Sequence, residues 1–137
     1  KYYITTEGIN LVQTLQFLET INIVSSYLTM CPVQREYTPH AYMAGKLHMS
    51  DVSSAEGHPR PTVQGHSGII SEWGDNFNIE VRIKSDATFE NGHIFISNSD
   101  SPAYNKIYYS IAGNGPTTME KDTKIMVETD FKYQYNE

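Results

Sequence analysis

The residues best suited to recognition chemistry are a single tryptophan, Trp73, and ten tyrosines, with Tyr104, Tyr108 and Tyr109 in one stretch and Tyr133 and Tyr135 in another. An aromatic ring with a polar tip stacks on a flat apolar ligand face while its tip makes a hydrogen bond. Trp73, Tyr104 and Tyr108 are therefore the candidate ligand contacts, with carbohydrate as the chemistry that suits them. The competing structural role puts Trp73 at a core or sheet edge, with Gly74 permitting a tight turn or close backbone approach. On that account the tyrosines, including Tyr133 and Tyr135, pack half-buried with their hydroxyls outward.

The remaining reactive residues form no recognisable constellation. The histidines stand at 40, 48, 58, 66 and 93. Zinc sites on helices need ligands three to five residues apart, so these read as loop residues and no metal is expected. Asp75-Asn76 with Asn78, and Asn98 with Asp100, come nearest to a calcium loop. Both flank expected strand ends, where such residues are ordinary turn formers. Gly113-Asn114-Gly115-Pro116 follows an element instead of opening one, so it reads as a cap and turn, not as a phosphate cradle. Gly65-His66-Ser67-Gly68 sets His beside Ser, but no third member and no nucleophile elbow accompany them. No catalytic residue and no cofactor is expected, and the chain reads as a non-enzyme.

Composition narrows the partners. The net charge is −6, from 16 acids against 10 bases, and no basic block exists to neutralise phosphates, which argues against nucleic acid and anionic membranes. No run of about 18 apolar residues is present. Ser, Thr, Asn and Gln number 38, more than the charged residues, a balance common outside the cytosol and at contact surfaces. Cys31 is the only cysteine, so it makes no internal disulfide and reads as a small buried hydrophobe, with an intermolecular bridge as the alternative. The sequence opens on Lys1-Tyr2-Tyr3 without a Met, which reads as a processed or trimmed fragment. Its 137 residues suit one domain.

The elements that would position these residues follow from periodicity. Leu11, Leu15 and Leu18 recur at helical spacing, as do Phe17, Ile21, Val24 and Leu28, and together they predict an amphipathic helix over about 6–30. Pro32 ends it. A long, glycine- and proline-punctuated loop is expected over about 32–68, with a short helical turn near Ala41–Leu47. The region from about 69 to 137 reads as sheet. Phe77, Ile79, Val81 and Ile83 alternate with polar residues, Glu90-Asn91-Gly92 supplies a turn, and Ile94 and Ile96 follow. Ser101-Pro102 announces a short helix with Ala103, Ile107 and Ile111 on one face. Two more alternating runs, Ile125–Val127 and Phe131–Tyr135, close the chain. The expected fold is α+β, a long N-terminal helix packed against an antiparallel sheet.

The chain resembles the soluble portion of a type IV pilin of the type IVb or minor-pilin kind. The long N-terminal helix, the long loop, Gly68-Ile69-Ile70-Ser71-Glu72-Trp73-Gly74-Asp75 and Ser101-Pro102-Ala103-Tyr104-Asn105-Lys106-Ile107 carry the likeness. It departs from the family in having Asp75 for the second glycine of Trp-Gly-Gly, and only Cys31 where the family closes a C-terminal disulfide. The resemblance implies a pilin-like roll whose helix residues Leu11, Leu15, Leu18, Ile21, Val24 and Leu28 serve core packing and filament assembly. It implies other pilin subunits as partners, with host surface or secreted cargo beyond them. It also implies an extracellular filament of a Gram-negative bacterium, anchored in the inner membrane through a segment absent from this chain. The alternative is a secreted carbohydrate- or protein-binding module using Trp73 and surface tyrosines.

Overall fold

The computed structural model describes residues 1–43, 48–51, 62–64, 67–97, 103–112 and 115–135. Among them there is no helix. A seven-stranded antiparallel sheet runs in the order β1 (Tyr2–Thr5), β2 (Gly8–Gln16), β13 (Lys124–Tyr135), β9 (Phe77–Ser85), β8 (Ser67–Trp73), β5 (His40–Met43), β6 (His48–Asp51). A four-stranded sheet runs β4 (Thr29–Gln34), β11 (Tyr104–Ser110), β10 (His93–Ser97), β7 (Thr62–Gln64). A short ribbon of β3 (Ile21–Ile23) and β12 (Thr117–Met119) completes the set.

The two larger sheets face each other across one apolar core. Ile79, Val81 and Ile83 on β9, Ile125 and Val127 on β13, and Ile70 on β8 point inward from the large sheet. Val33, Ile94, Ile96, Ile107 and Tyr109 meet them from the small one. Alternation drives this arrangement, because successive strand side chains face opposite sides. Across the outer face of the large sheet the partners of β9 and β13 are oppositely charged: Lys84 with Glu128, Arg82 with Asp130, and Glu80 with Lys132. Such a ladder keeps that face in water. The sandwich is joined at the core by Thr29 and Thr129, whose buried hydroxyls are 2.8 Å apart across the two sheets.

The expected α+β fold is overturned by this all-β architecture. The stretch 6–30 is β2, β3 and the start of β4. Leu11 and Leu15 are four apart, a spacing shared by the helical period and by the two-residue period of a strand. In β2 the pair lies opposite Thr129 and Ile125 of β13, on the side that faces the core, and Leu15 packs against it. Leu28 is half-buried and also packs on the core. Leu18, Ile21 and Val24, which the helix would bury, are 73%, 42% and 74% exposed. Composition explains the outcome: residues 6–30 contain no alanine and nine β-branched residues, which favour a pleated surface.

Pro32 does not end a helix but sits within β4, at an edge of the small sheet. The amide of Arg35 donates to the carbonyl of Ala103. By alternation Pro32 falls where its missing N–H would face the open edge, the place a strand tolerates proline. The second expected helix is likewise a strand, β11, whose Asn105, Ile107 and Tyr109 point inward; Ser101, Pro102 and Gly113 lie outside the described residues. The expected loop over 32–68 contains β5, β6 and β7, and the turn near Ala41–Leu47 is in part the strand β5. The strand over 77–84, the turn at 90–92 and the strand through Ile94 and Ile96 are found as expected. The last two runs are one continuous strand, β13, the spine that pairs with both β2 and β9.

Candidate functional site

At one end of the sandwich the sheets part and leave a groove of about 580 Å³. Val33 of β4 with Phe77 and Ile79 of β9 provide an apolar floor. Tyr135, opposite Phe77 at the end of β13, closes one side. The other side is the turn that follows β4, presenting Gln34, Glu36, Tyr37 and Pro39. Asp75 and Asn76, the hairpin turn between β8 and β9, complete the rim. Tyr37 and Tyr135 are 56% and 70% exposed. Glu36 and Asp75 are the only charged residues of this lining, so the groove is acidic. The Tyr37 hydroxyl bonds to the Glu36 carboxylate, and that bond, together with the charge behind it, pushes the phenol above its ordinary pKa.

Sequence dictates the tight construction of this end. Gly74 donates its amide to Phe77 O at 2.9 Å and closes the β8–β9 hairpin. A Cβ at Gly74 would collide with the carbonyl of Tyr37 and crowd Pro39, so only glycine lets the hairpin lie against the wall of the groove. The wall itself is a compact turn: Tyr37 N donates to Gln34 O at 3.2 Å and Thr38 N to Arg35 O at 3.3 Å.

Behind the floor lies a buried polar cluster. Glu72 takes an inward position on β8, between Ala41 and Ile79, with no exposed surface. Thr38 and Asn105 hydrogen-bond its carboxyl, and Arg35 acts on it electrostatically. Arg35 Nε donates to Asn105 Oδ1 at 3.1 Å and its Nη2 to Tyr104 O at 3.3 Å. Burial dominates and pushes the Glu72 carboxyl up to about 7, against the opposing pull of Thr38, Asn105 and Arg35. Glu72 Oε1 has no hydrogen-bond partner. Cys31 is half-buried beside the same core; burial first, then the charge of Glu72, pushes its thiol up to about 12, which makes it an inert thiol.

The residues expected to contact a ligand are not brought together. Trp73 is half-buried on the outer face of the large sheet, its ring 5.7 Å from that of His40. Tyr104 and Tyr108 lie on the outer face of the small sheet. Lys106 Nζ is 5.5 Å from the centre of the Tyr104 ring. Tyr108 is buried between Tyr27 and Phe95, with ring centres 4.8 and 4.9 Å away. Tyr135, which is not among the three candidate contacts, lines the groove. Tyr37 was missed; its only signal is a bulky aromatic in the polar run Gln34-Arg35-Glu36-Tyr37-Thr38-Pro39. Of the histidines, His40 and His93 sit on opposite outer faces, the latter stacked on Phe95, while His58 and His66 lie outside the described residues. No protein-family model and no curated protein sequence matches this chain.

Proposed function

We propose that this domain is a carbohydrate-binding module and that the groove at the open end of its sandwich is the binding site. The observation that supports this reading is the pairing of two exposed tyrosines, Tyr37 and Tyr135, with an apolar floor and a rim of amide and carboxylate groups. A pyranose ring offers an apolar C–H face for stacking and a belt of hydroxyls for hydrogen bonds. Tyrosine faces serve the first, and Gln34, Glu36, Asp75 and Asn76 serve the second. The acidic rim selects neutral or cationic sugars over uronates and other acidic ones. A filament-subunit role loses the element on which it rested, because the amphipathic rod that would pack in a fibre is folded as strands.

The test is a glycan array followed by calorimetric titration of the best neutral hit. Tyr37→Ala and Tyr135→Ala should each weaken binding roughly three- to tenfold, the worth of one stacked ring. Trp73→Phe should leave it unchanged. Absence of any glycan binding, or binding indifferent to both tyrosines, refutes the assignment.

A further inference from the structure

Arg35 ties the wall of the groove to β11, and the Thr38 hydroxyl ties it to Glu72 of the large sheet, where one proton faces two acceptors. Thr38 Oγ1 lies 3.1 Å from Gln34 O and 3.2 Å from Glu72 Oε2. A hydroxyl donates once. With Glu72 ionised, two acceptors share the single Thr38 proton, so only one of these two contacts is a hydrogen bond, while Asn105 still serves the carboxylate and Tyr37 N still serves Gln34 O. With Glu72 protonated on Oε2, the carboxyl O–H donates to Thr38 and Thr38 donates to Gln34, so both contacts become bonds. Gln34 is itself part of the groove lining, and Thr38 is flanked by Tyr37 and Pro39, which line it too. We propose that Glu72 is the positioning residue of the groove, and that its protonated form completes a donor chain, Glu72 to Thr38 to Gln34, which holds the wall formed by residues 34–39.

The surroundings of Glu72 favour that form. Its neighbours along the inner row of the large sheet are Ala41 and Ile79, neither of which can solvate a charge. From the facing side come Arg35, Cys31 and Asn105. Arg35 and Asn105 favour the ionised carboxylate, and the Arg35 guanidinium also donates to Asn105 Oδ1 and to the Tyr104 carbonyl, but burial outweighs both. Cys31 stays a neutral thiol and contributes no charge. The buried Oε1, left without a hydrogen bond, is far costlier on a carboxylate than on a neutral acid. Desolvation accordingly raises the carboxyl to about 7, and the wall passes from held to loosened as the pH rises through neutrality.

This inference takes the groove to be the binding site of the proposed function, but its test needs no ligand, so the two fail separately. The probes are the amide protons of Tyr37 and Thr38, followed by NMR hydrogen exchange between pH 5.5 and 8.5 and corrected for intrinsic base catalysis. In the wild type their protection should fall roughly five- to tenfold with a midpoint near 7, the effect of one hydrogen bond. Glu72→Gln keeps a donor for Thr38 at every pH and should give a flat, protected profile. Thr38→Val should be flat and unprotected. If the wild-type profile is flat, or if Glu72→Gln follows the wild-type curve, the donor chain is wrong.

Discussion

Raising the pH from 4 to 8.5 should destabilise the wild-type domain by roughly 3 kcal/mol through Glu72 alone. The unfolded chain holds this carboxyl near its ordinary 4.5, whereas burial in the fold raises it to about 7. Below 4.5 both states carry the proton and the stability does not vary with pH through this group. Between the two values the native state keeps a proton that the unfolded chain has released, so each pH unit costs the fold about 1.4 kcal/mol. Above about 7 the native carboxyl ionises as well and the loss stops growing. Expressed as a contribution, the stability is fully present below 4.5 and gone once the pH has passed through 7. The assay is urea unfolding followed by Trp73 fluorescence, on wild type and Glu72→Gln, at intervals across that range. The other titrating groups affect both proteins alike and cancel in the difference. Glu72→Gln should match the wild type near pH 4 and exceed it by roughly 3 kcal/mol at pH 8.5. Parallel stability curves for the two proteins would show that the buried carboxyl is not desolvated as the structure implies.

Two further outcomes distinguish the sandwich from other arrangements of the same sequence. Ile107→Ala removes a fully buried side chain between the sheets and should cost roughly 2–5 kcal/mol in urea unfolding. Leu18→Ala and Val24→Ala, which a helical stripe would make equally damaging, lie at exposed positions and should stay within about 0.5 kcal/mol of wild type. Gly74→Ala forces the hairpin away from the Tyr37 carbonyl. Calorimetric titration should show weakened groove binding, while the β8–β9 strands themselves stay paired.

The legible parts of the fold are those where one period fits and the other does not. Phe77 to Lys84 alternates without interruption, so no helical face can be drawn through it, and β9 is found there. The turn at Glu90-Asn91-Gly92 and the run Ile94–Ile96 are legible for the same local reason. Leu11 and Leu15 are not, since a spacing of four satisfies both periods and Gln13 interrupts the strand alternation. The absence of alanine and the nine β-branched residues over 6–30 are the better guide, because backbone propensity acts even where side-chain pattern is ambiguous.

Sequence alone determined the acidic balance, the solitary and therefore unbridged cysteine within the chain, and the central strand at 77–84, whereas the need for glycine after Trp73 comes from the Tyr37 carbonyl packed against it. Only the tertiary structure decided which aromatics face a common space. Tyr37 and Tyr135 are 98 positions apart and meet at the groove because β4 and β13 end at the same side of the sandwich, whereas Trp73 and Tyr108 point away from each other on its two outer faces. The raised pKa of Glu72 has the same origin. A glutamate in a strand is ordinarily a solvated anion, and this one is set between Ala41 and Ile79 by strand pairings whose partners lie far along the chain, which no local pattern encodes.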